Sequence, residues 1–171
     1  MTIQMSRTVE ILLIEDSPSD ANLIIKGFNQ SNVKGFNRDS IPNNLHWIED
    51  GETAMEYLRQ QDQYASVRRP DLILLDLNLP GMDGREVLAE VKSDPDLKLI
   101  PVVILTTSAD EHDVLRSYNL NANCYVTKPL DVHQFIQVVQ LISTFWVAAV
   151  RLPTEYWWGY KKGKKQAESN L

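Results

Sequence analysis

The residues of this sequence that could do chemistry are three acids, a threonine and a lysine, each at the end of a short, mostly apolar run. They are Glu15, Asp16, Asp76, Thr106 and Lys128. Crowded carboxylates repel one another unless a hard cation lies between them, and Mg²⁺ binds such groups together with waters and phosphate oxygens. An ammonium and a hydroxyl could hold the oxygens of a phosphoryl group in transfer. Asp76 could then be the nucleophile that becomes an aspartyl phosphate.

The apolar runs alternate with amphipathic segments, which predicts strands and helices in turn. Strands are predicted at 9–14, 45–49, 71–75, 101–105 and 123–127, and helices at 18–30, 53–60, 85–92, 110–120 and 131–151. Strict alternation predicts a parallel sheet with helices on both faces. Ligands bind beyond the carboxyl ends of the strands in such a sheet. The five chemically capable residues should therefore meet at one edge.

Each of these residues also has a plainer explanation. Glu15 and Asp16 could simply be acids that favour the start of the next helix. Asp76 alone could be a turn residue, and Lys128 alone is most often a surface charge. Their joint placement at the ends of four strands makes coincidence a poor explanation.

Composition limits the classes of function. The chain has 171 residues, a net charge of −6 and a single cysteine, Cys124. One α/β domain fits this length, and the acidic balance argues against a nucleic-acid partner. The one basic cluster, at 161–165, is expected to be a solvated end. One cysteine fits a reducing cytosol, and the apolar run 138–150 is too short for a bilayer. We therefore expect a cytoplasmic protein without a membrane partner.

Four segments resemble the receiver domains of two-component response regulators, the CheY-like family. They are ILLIED at 11–16, LILLDLNLPGMDG at 72–84, PVVILT at 101–106 and YVTKP at 125–129. The resemblance implies a flavodoxin-like, doubly wound α/β fold. Its five-stranded parallel sheet has the order 2-1-3-4-5, and the C-terminal helix is extended. We predict a receiver domain at 8–152, and the composition of the remaining residues indicates an aromatic and basic tail at 153–171.

The same resemblance implies a phosphorylation site that uses Mg²⁺. Asp76 would be the phosphoacceptor. Asp16 and Asp76 would ligate the metal together with the backbone carbonyl of Asn78, and Glu15 would act through water. A receiver of this kind assists its own phosphorylation and dephosphorylation but is not otherwise an enzyme.

The resemblance further assigns roles on the fourth and fifth strands. Thr106 and Lys128 would bind the phosphoryl oxygens, and the peptide between Lys128 and Pro129 would be cis. Tyr125 matches the switch aromatic, which turns inward when the threonine moves to the phosphate. The phosphodonor would be the phosphohistidine of a histidine kinase.

A narrower likeness is to the phytochrome-associated response regulators of cyanobacteria, the Rcp type. It is carried by the long polar loop after the first helix, by REVLAE at 85–90, by SYNLNANCY at 117–125, and by Phe145 and Trp146 in the final helix. This likeness implies a phytochrome histidine kinase as donor and a role in light signalling.

Two apolar stripes run along the final helix. The first should pack on the sheet and comprises Val132, Phe135, Val139, Ile142 and Trp146. The second points about 60 to 100 degrees away and comprises Val138, Leu141, Phe145, Ala149 and Leu152. An exposed stripe of this length predicts a partner site.

Two interpretations of the second stripe remain open. In one, a homodimer forms through the fourth helix, fifth strand and fifth helix, with Trp157 packing across the seam. In the other, the tail at 154–160 folds back and covers the stripe within one monomer. The family resemblance favours the dimer.

Three classes of function remain. The first is a signalling receiver that acts through phosphorylation-dependent contacts. The second is a Mg²⁺-dependent phosphohydrolase, which usually needs an acid two residues after the nucleophile to protonate the leaving group. That position is Asn78, which cannot donate a proton in this way. The third, a phosphorylation-independent dimeric scaffold, is disfavoured because the set of site residues is complete.

Overall fold

Five parallel strands form the centre of the molecule. The computed structural model describes residues 8–30 and 41–153. Within them the strands are β1 (Val9–Ile14), β2 (Asn43–Ile48), β3 (Leu72–Leu75), β4 (Val102–Thr106) and β5 (Cys124–Thr127). The strand order is β2-β1-β3-β4-β5, and every neighbouring pair is parallel. The predicted fold and strand order are confirmed.

The helices follow the predicted alternation, with ends within two residues of the prediction except at the end of the fifth helix. They are α1 (Pro18–Gln30), α2 (Gly51–Leu58), α3 (Gly84–Ser93), α4 (Glu111–Asn119) and α5 (Val132–Ser143). A 3-10 turn, Asp62–Tyr64, follows α2, and a π-helical segment, Thr144–Ala149, continues α5. Aspartate side chains cap the starts of four helices, α2 to α5. Asn121 adopts the left-handed conformation expected after α4, with φ of 66°.

Helices cover both faces of the sheet, as predicted. The side chains Met55, Leu58, Val87 and Val91 place α2 and α3 in one buried apolar cluster. On the other face, α1 contributes Ala21, Ile24 and Phe28, and α5 contributes Phe135, Val139 and Ile142. In α4 only Ser117 is buried. This helix therefore packs through far less apolar surface than the other four.

The end of α5 differs from the predicted continuous helix. Thr144–Ala149 is π-helical, and Val150 is already extended. A π-helical turn holds more residues than an α-helical turn, so side chains beyond Ser143 leave the predicted phase. Val147 is consequently buried, and Trp146 is half-buried against the core, close to its prediction.

The two predicted stripes need correction at two positions. Val132 was expected in the core, but it stands at the first turn of α5 and is 51% exposed. Leu152 was expected on the second stripe, yet it is 2% exposed because the chain has left the helix and turned back onto the core. The rest of the second stripe is as expected: Leu141, Phe145 and Ala149 are exposed, and Val138 is half-buried. Trp157 lies outside the described residues.

One helical segment reaches the length and composition of a membrane span. Val132–Ala149 has 18 residues and a mean hydropathy of 1.3, and 28% of it is buried inside the molecule. The apolar run predicted from the sequence to be too short for a bilayer, 138–150, is shorter than this segment. Core helices of soluble proteins have the same character, so this segment is weak evidence of a span. Its contacts with α1 account for the apolar residues on its inner face.

Candidate functional site

A buried lysine lies at the centre of the carboxyl edge of the sheet. Lys128 follows β5, and its side chain is 3% exposed. Its Nζ atom lies 2.6 Å from Glu15 Oε2 and 2.9 Å from Asp76 Oδ2. It also lies 2.8 Å from Asp20 Oδ2 in the first turn of α1. Buried carboxylates that would otherwise repel one another thus share one ammonium group.

Burial and neighbouring charges shift the pKa values of Glu15 and Lys128. Burial raises the pKa of Glu15 to about 7, although contact with Lys128 opposes that rise. Burial alone would lower the pKa of Lys128, but its hydrogen bonds to Asp20, Glu15 and Asp76 outweigh burial and raise it above its ordinary value. The lysine therefore stays charged at neutral pH. Glu15 is poised between its two protonation states.

Three of the predicted acids could hold a metal ion together. Carboxylate oxygens of Glu15, Asp16 and Asp76 all lie within 4.8 Å of one another. Glu15 and Asp76 are buried, whereas Asp16 is exposed. All three offer hard oxygen ligands, which suit a divalent cation such as Mg²⁺. The donor set fits the predicted metal.

The loop after β3 approaches the same carboxylate. The backbone N–H of Asn78 donates to Asp76 Oδ1 at 3.1 Å. A Cβ atom at Gly84 would collide with the backbone of Asp76 and Leu77, so only glycine lets α3 begin this close to the strand end. Glu52 of α2 also accepts the Met82 N–H at 2.8 Å. The loop is thus held against the site from two directions.

Thr106 and Tyr125 lie beside the cluster. Thr106 is fully buried, and its Oγ1 atom lies 3.5 Å from both Asn78 Nδ2 and the Ser108 backbone nitrogen. Tyr125 is half-buried, and its hydroxyl donates to the carbonyl of Ser108 at 2.9 Å. Both predicted switch residues therefore contact the loop that follows β4.

One predicted backbone feature is wrong. The peptide between Lys128 and Pro129 is trans. The trans form is the lower-energy isomer of most X–Pro peptides, and the side chain of Lys128 reaches the carboxylates with this isomer.

The sequence reasoning missed Asp20. Its carboxylate is 28% exposed and contacts Lys128 as closely as Asp76 does. The available signal was its place in the first turn of α1, which begins at the same edge of the sheet where β1 ends. Acids are common in the first turn of a helix because they interact favourably with the helix dipole. The position of Asp20 therefore gave no specific reason to expect its contact with Lys128.

Known proteins match the chain over most of its length. The family described as "Response regulator receiver domain" matches residues 11–140. The response regulator Rcp1 of Synechocystis sp. is 49% identical over 143 residues, which are 84% of this chain and 92% of that protein.

Solved structures agree with the fold. The phosphorylated cyanobacterial phytochrome response regulator RcpA has a TM-score of 0.79 at 47% identity, covering 86% of this chain and 99% of that one. The Mn²⁺-bound form of the response regulator Rcp1 has a TM-score of 0.77 at 48% identity, covering 85% and 99%. The likeness therefore extends from sequence to backbone across residues that carry the candidate site.

Proposed function

The chain belongs to the response regulator receiver domain family, and from this premise we propose that it accepts a phosphoryl group on Asp76 from the phosphohistidine of a histidine kinase. The observation that carries the proposal is the buried contact of Lys128 with Asp76, beside Glu15 and Asp16. The ammonium group of Lys128 can therefore compensate the negative charge that a phosphoryl group would bring to Asp76. Receiver domains share this chemistry, and Asp76 is this chain's candidate for it.

We assign Mg²⁺ to the acids at this edge. Glu15, Asp16 and Asp76, with the backbone carbonyl of Asn78, would hold it, and Glu15 would act through water. When bound, the ion neutralises charge on the phosphoryl oxygens during transfer. A bound cation would account for the close approach of these three acids. The Mn²⁺-bound form of Rcp1 supports a divalent cation in this family.

Transfer then uses the residues of this chain in defined ways. A carboxylate oxygen of Asp76 attacks phosphorus, the P–O bond forms as the P–N bond of phosphohistidine breaks, and the imidazole leaves with a proton from solvent. Lys128 and Thr106 would bind the phosphoryl oxygens. Tyr125 would turn inward as Thr106 moves, which changes the surface near α4 and β5. The output is a change of contacts rather than a released product.

We further infer that the donor kinase is a phytochrome, so that the protein acts in light signalling. RcpA is named as a cyanobacterial phytochrome response regulator and is 47% identical to this chain. In this setting the protein would work in the cytoplasm. The receiver domain would span 8–152, with 153–171 as a separate tail.

We also propose a homodimer through α4, β5 and α5. Leu141 on α5 and Phe145 on the π-helical segment after it expose 69% and 56% of their surface, and Leu115 and Tyr118 on α4 expose 63% and 49%. Apolar exposure of this extent is typical of a partner surface. Val138 and Ala149 border it, and Trp157 would pack across the seam. Leu152 is excluded because its side chain belongs to the core.

Labelling tests the phosphorylation site. The protein is incubated with acetyl phosphate and Mg²⁺, and phosphorylation is measured by intact mass. Wild type should gain one phosphoryl group, and Asp76→Asn should gain none. Asp94→Asn, at the other end of α3, is the matched control and should label normally. Labelling of Asp76→Asn would refute the site, and repeated turnover of small phosphate esters would favour the phosphohydrolase instead.

Sedimentation tests the dimer. Wild type should sediment as a dimer, and Phe145→Glu should be a monomer because a charge would be buried at the seam. Leu99→Glu changes another exposed leucine outside this surface and should leave the mass unchanged. A monomeric wild type, with or without beryllofluoride and Mg²⁺, would refute the dimer.

A further inference from the structure

An ion pair joins α3 to α4 next to the candidate site. Arg85 stands in the first turn of α3, and its Nε and Nη2 atoms donate to the two carboxylate oxygens of Asp113 at 2.8 and 2.6 Å. The Nη1 atom also donates to Asp83, the capping residue of α3, at 3.1 Å. The side chains of Arg85 and Asp113 are only 15% and 20% exposed. A two-pronged pair with this little exposure is stronger and more directional than ordinary surface pairs.

The pair extends into the loop that follows β4. Ser108 Oγ donates to Asp113 Oδ2 at 2.7 Å. The carbonyl of the same serine accepts the Tyr125 hydroxyl at 2.9 Å. Arg85 and Ser108 together hold the pKa of Asp113 below its ordinary value, so the carboxylate remains charged at neutral pH. Ser108 is therefore fixed through its side chain by α4 and through its backbone by β5.

The contacts of this loop with the phosphorylation site are weaker. Thr106 Oγ1 lies 3.5 Å from its neighbours Asn78 and Ser108, which is at the limit of a hydrogen bond. The contacts of Ser108 with Asp113 and Tyr125 are between 2.7 and 2.9 Å. The position of the loop is thus set from the side of α3 and α4.

Packing leaves α4 dependent on this pair. Ser117 is the one buried residue of the helix, and its hydroxyl has no hydrogen-bond partner among residues 8–30 and 41–153. A helix that buries so little apolar surface has a low cost of local displacement. The Arg85–Asp113 ion pair therefore restrains α4 against α3, where apolar packing contributes little.

We propose that Arg85 is a positioning residue that, through Asp113 and Ser108, holds the loop after β4 in the arrangement of the unphosphorylated protein. The inference rests on the proposed function, because Thr106 must move toward a phosphoryl group on Asp76. Thr106 and Ser108 are two residues apart, so this movement pulls Ser108 away from Asp113. Coupling is reciprocal: if phosphorylation weakens the contact with Asp113, removing Arg85 must favour the phosphorylated arrangement.

Beryllofluoride binding measures this coupling without a kinase. The dissociation constant of the phosphoryl analogue is determined by titration in Mg²⁺ for wild type, Arg85→Met and Ser108→Ala. Arg85→Met should bind about fivefold more tightly, the lower end of typical coupling between sites. Ser108→Ala should tighten binding by at least as large a factor, because it removes the contact through which Arg85 and Asp113 act on the loop. Arg85→Lys keeps the charge but loses the two-pronged geometry, so it should fall between wild type and Arg85→Met.

A matched control separates coupling from general damage. Arg59 forms an exposed pair with Glu90 at 2.6 Å, away from this loop. Arg59→Met should leave the dissociation constant unchanged. A merely structural role for Arg85 would lower the unfolding free energy without tightening the analogue, and that result would overturn the proposal. Should Arg85→Met fail to fold, an unchanged or weaker affinity in Ser108→Ala overturns it alone. Failure of wild type itself to bind the analogue would refute the proposed function instead.

Discussion

Two partly or fully buried lysines lie at opposite edges of the sheet, in opposite surroundings. Lys128, beyond the end of β5, contacts the carboxylates of Glu15, Asp20 and Asp76. Lys92, at the end of α3, donates to three neutral oxygens near the start of β4 and β5. These acceptors are the carbonyls of Lys98 and Ile100 and the side-chain oxygen of Asn123. Burial lowers the pKa of Lys92 to about 8, whereas the carboxylates raise that of Lys128.

The different surroundings of Lys92 and Lys128 indicate different roles for the two lysines. At the amino edge an ammonium group joins backbone segments and carries no charged partner among these three contacts. At the carboxyl edge an ammonium group compensates the negative charge of three crowded acids, Glu15, Asp20 and Asp76. Local stability explains the first arrangement, and the proposed phosphoryl transfer to Asp76 would explain the second.

The largest expected effect comes from removing the lysine of the carboxyl edge. Lys128→Met leaves Glu15 and Asp76 buried without their cation, which should lower the free energy of unfolding by about 4 kcal/mol at pH 8. Chemical denaturation followed by circular dichroism measures it. A decrease in unfolding free energy of under 1 kcal/mol would show that the buried carboxylates do not need the lysine. The contrast drawn between Lys128 and Lys92 would then be wrong.

Phosphorylation should distinguish the same two lysines. We expect Lys128→Met to reduce the rate of labelling by acetyl phosphate about 100-fold. The substitution removes the preorganised positive charge that would face the phosphoryl oxygens. Lys92→Met should label at the wild-type rate. Intact mass measured over time gives both rates. Equal rates in the two variants would contradict the assignment of separate tasks.

The pH dependence of stability gives a third effect, at the carboxyl edge. Glu15 titrates near pH 7 in the folded protein and near 4.5 when unfolded, so the folded state binds the proton more tightly. Stability from this group is therefore present below pH 4.5 and lost as the pH rises to 7, by on the order of 2 kcal/mol. Denaturation in EDTA should show this slope in wild type. In Glu15→Gln the slope should be absent, and a slope that persists there belongs to other groups.

The amino edge should give the smallest effect, with the opposite sign. Lys92 titrates near pH 8 when folded and near 10.5 when unfolded, so the unfolded state binds the proton more tightly. Stability should rise between these values, by on the order of 1 kcal/mol because solvent partly reaches the side chain. The difference between wild type and Lys92→Met isolates this rise. If that difference stays flat from pH 8 to 10.5, burial does not disfavour the charged lysine.

The sequence predicted the carboxyl edge better than the amino edge, for a physical reason. Parallel topology brings strand ends together, so the sequence alone places Asp76, Thr106 and Lys128 near one another. Asp20 was missed because its contact depends on the angle at which α1 leaves β1. Lys92 gave no signal, since its partners are two backbone carbonyls and one amide.

The last helix shows where periodicity fails. The spacing of Phe135, Val139 and Ile142 predicted their burial correctly because this part is α-helical. Leu152 was assigned to the wrong face because the phase was carried through a segment that is π-helical and then extended. Periodicity assumes one helix type, and nothing in the spacing of residues 144–149 reports the change.

We expect the π-helical segment to let the end of α5 tolerate a change in length. Its backbone hydrogen bond from Val150 to Phe145 spans five residues, one more than an α-helical bond spans. Deleting a single codon within 144–149 would let the segment close as an ordinary α-helix while the upstream contacts of Val139 and Ile142 with the core stay in place. This single deletion would rotate the residues that follow it about the helix axis. A different set of side chains would then face outward at the end of the helix. Specificity for a partner could therefore change in a descendant gene without any substitution at the phosphorylation site.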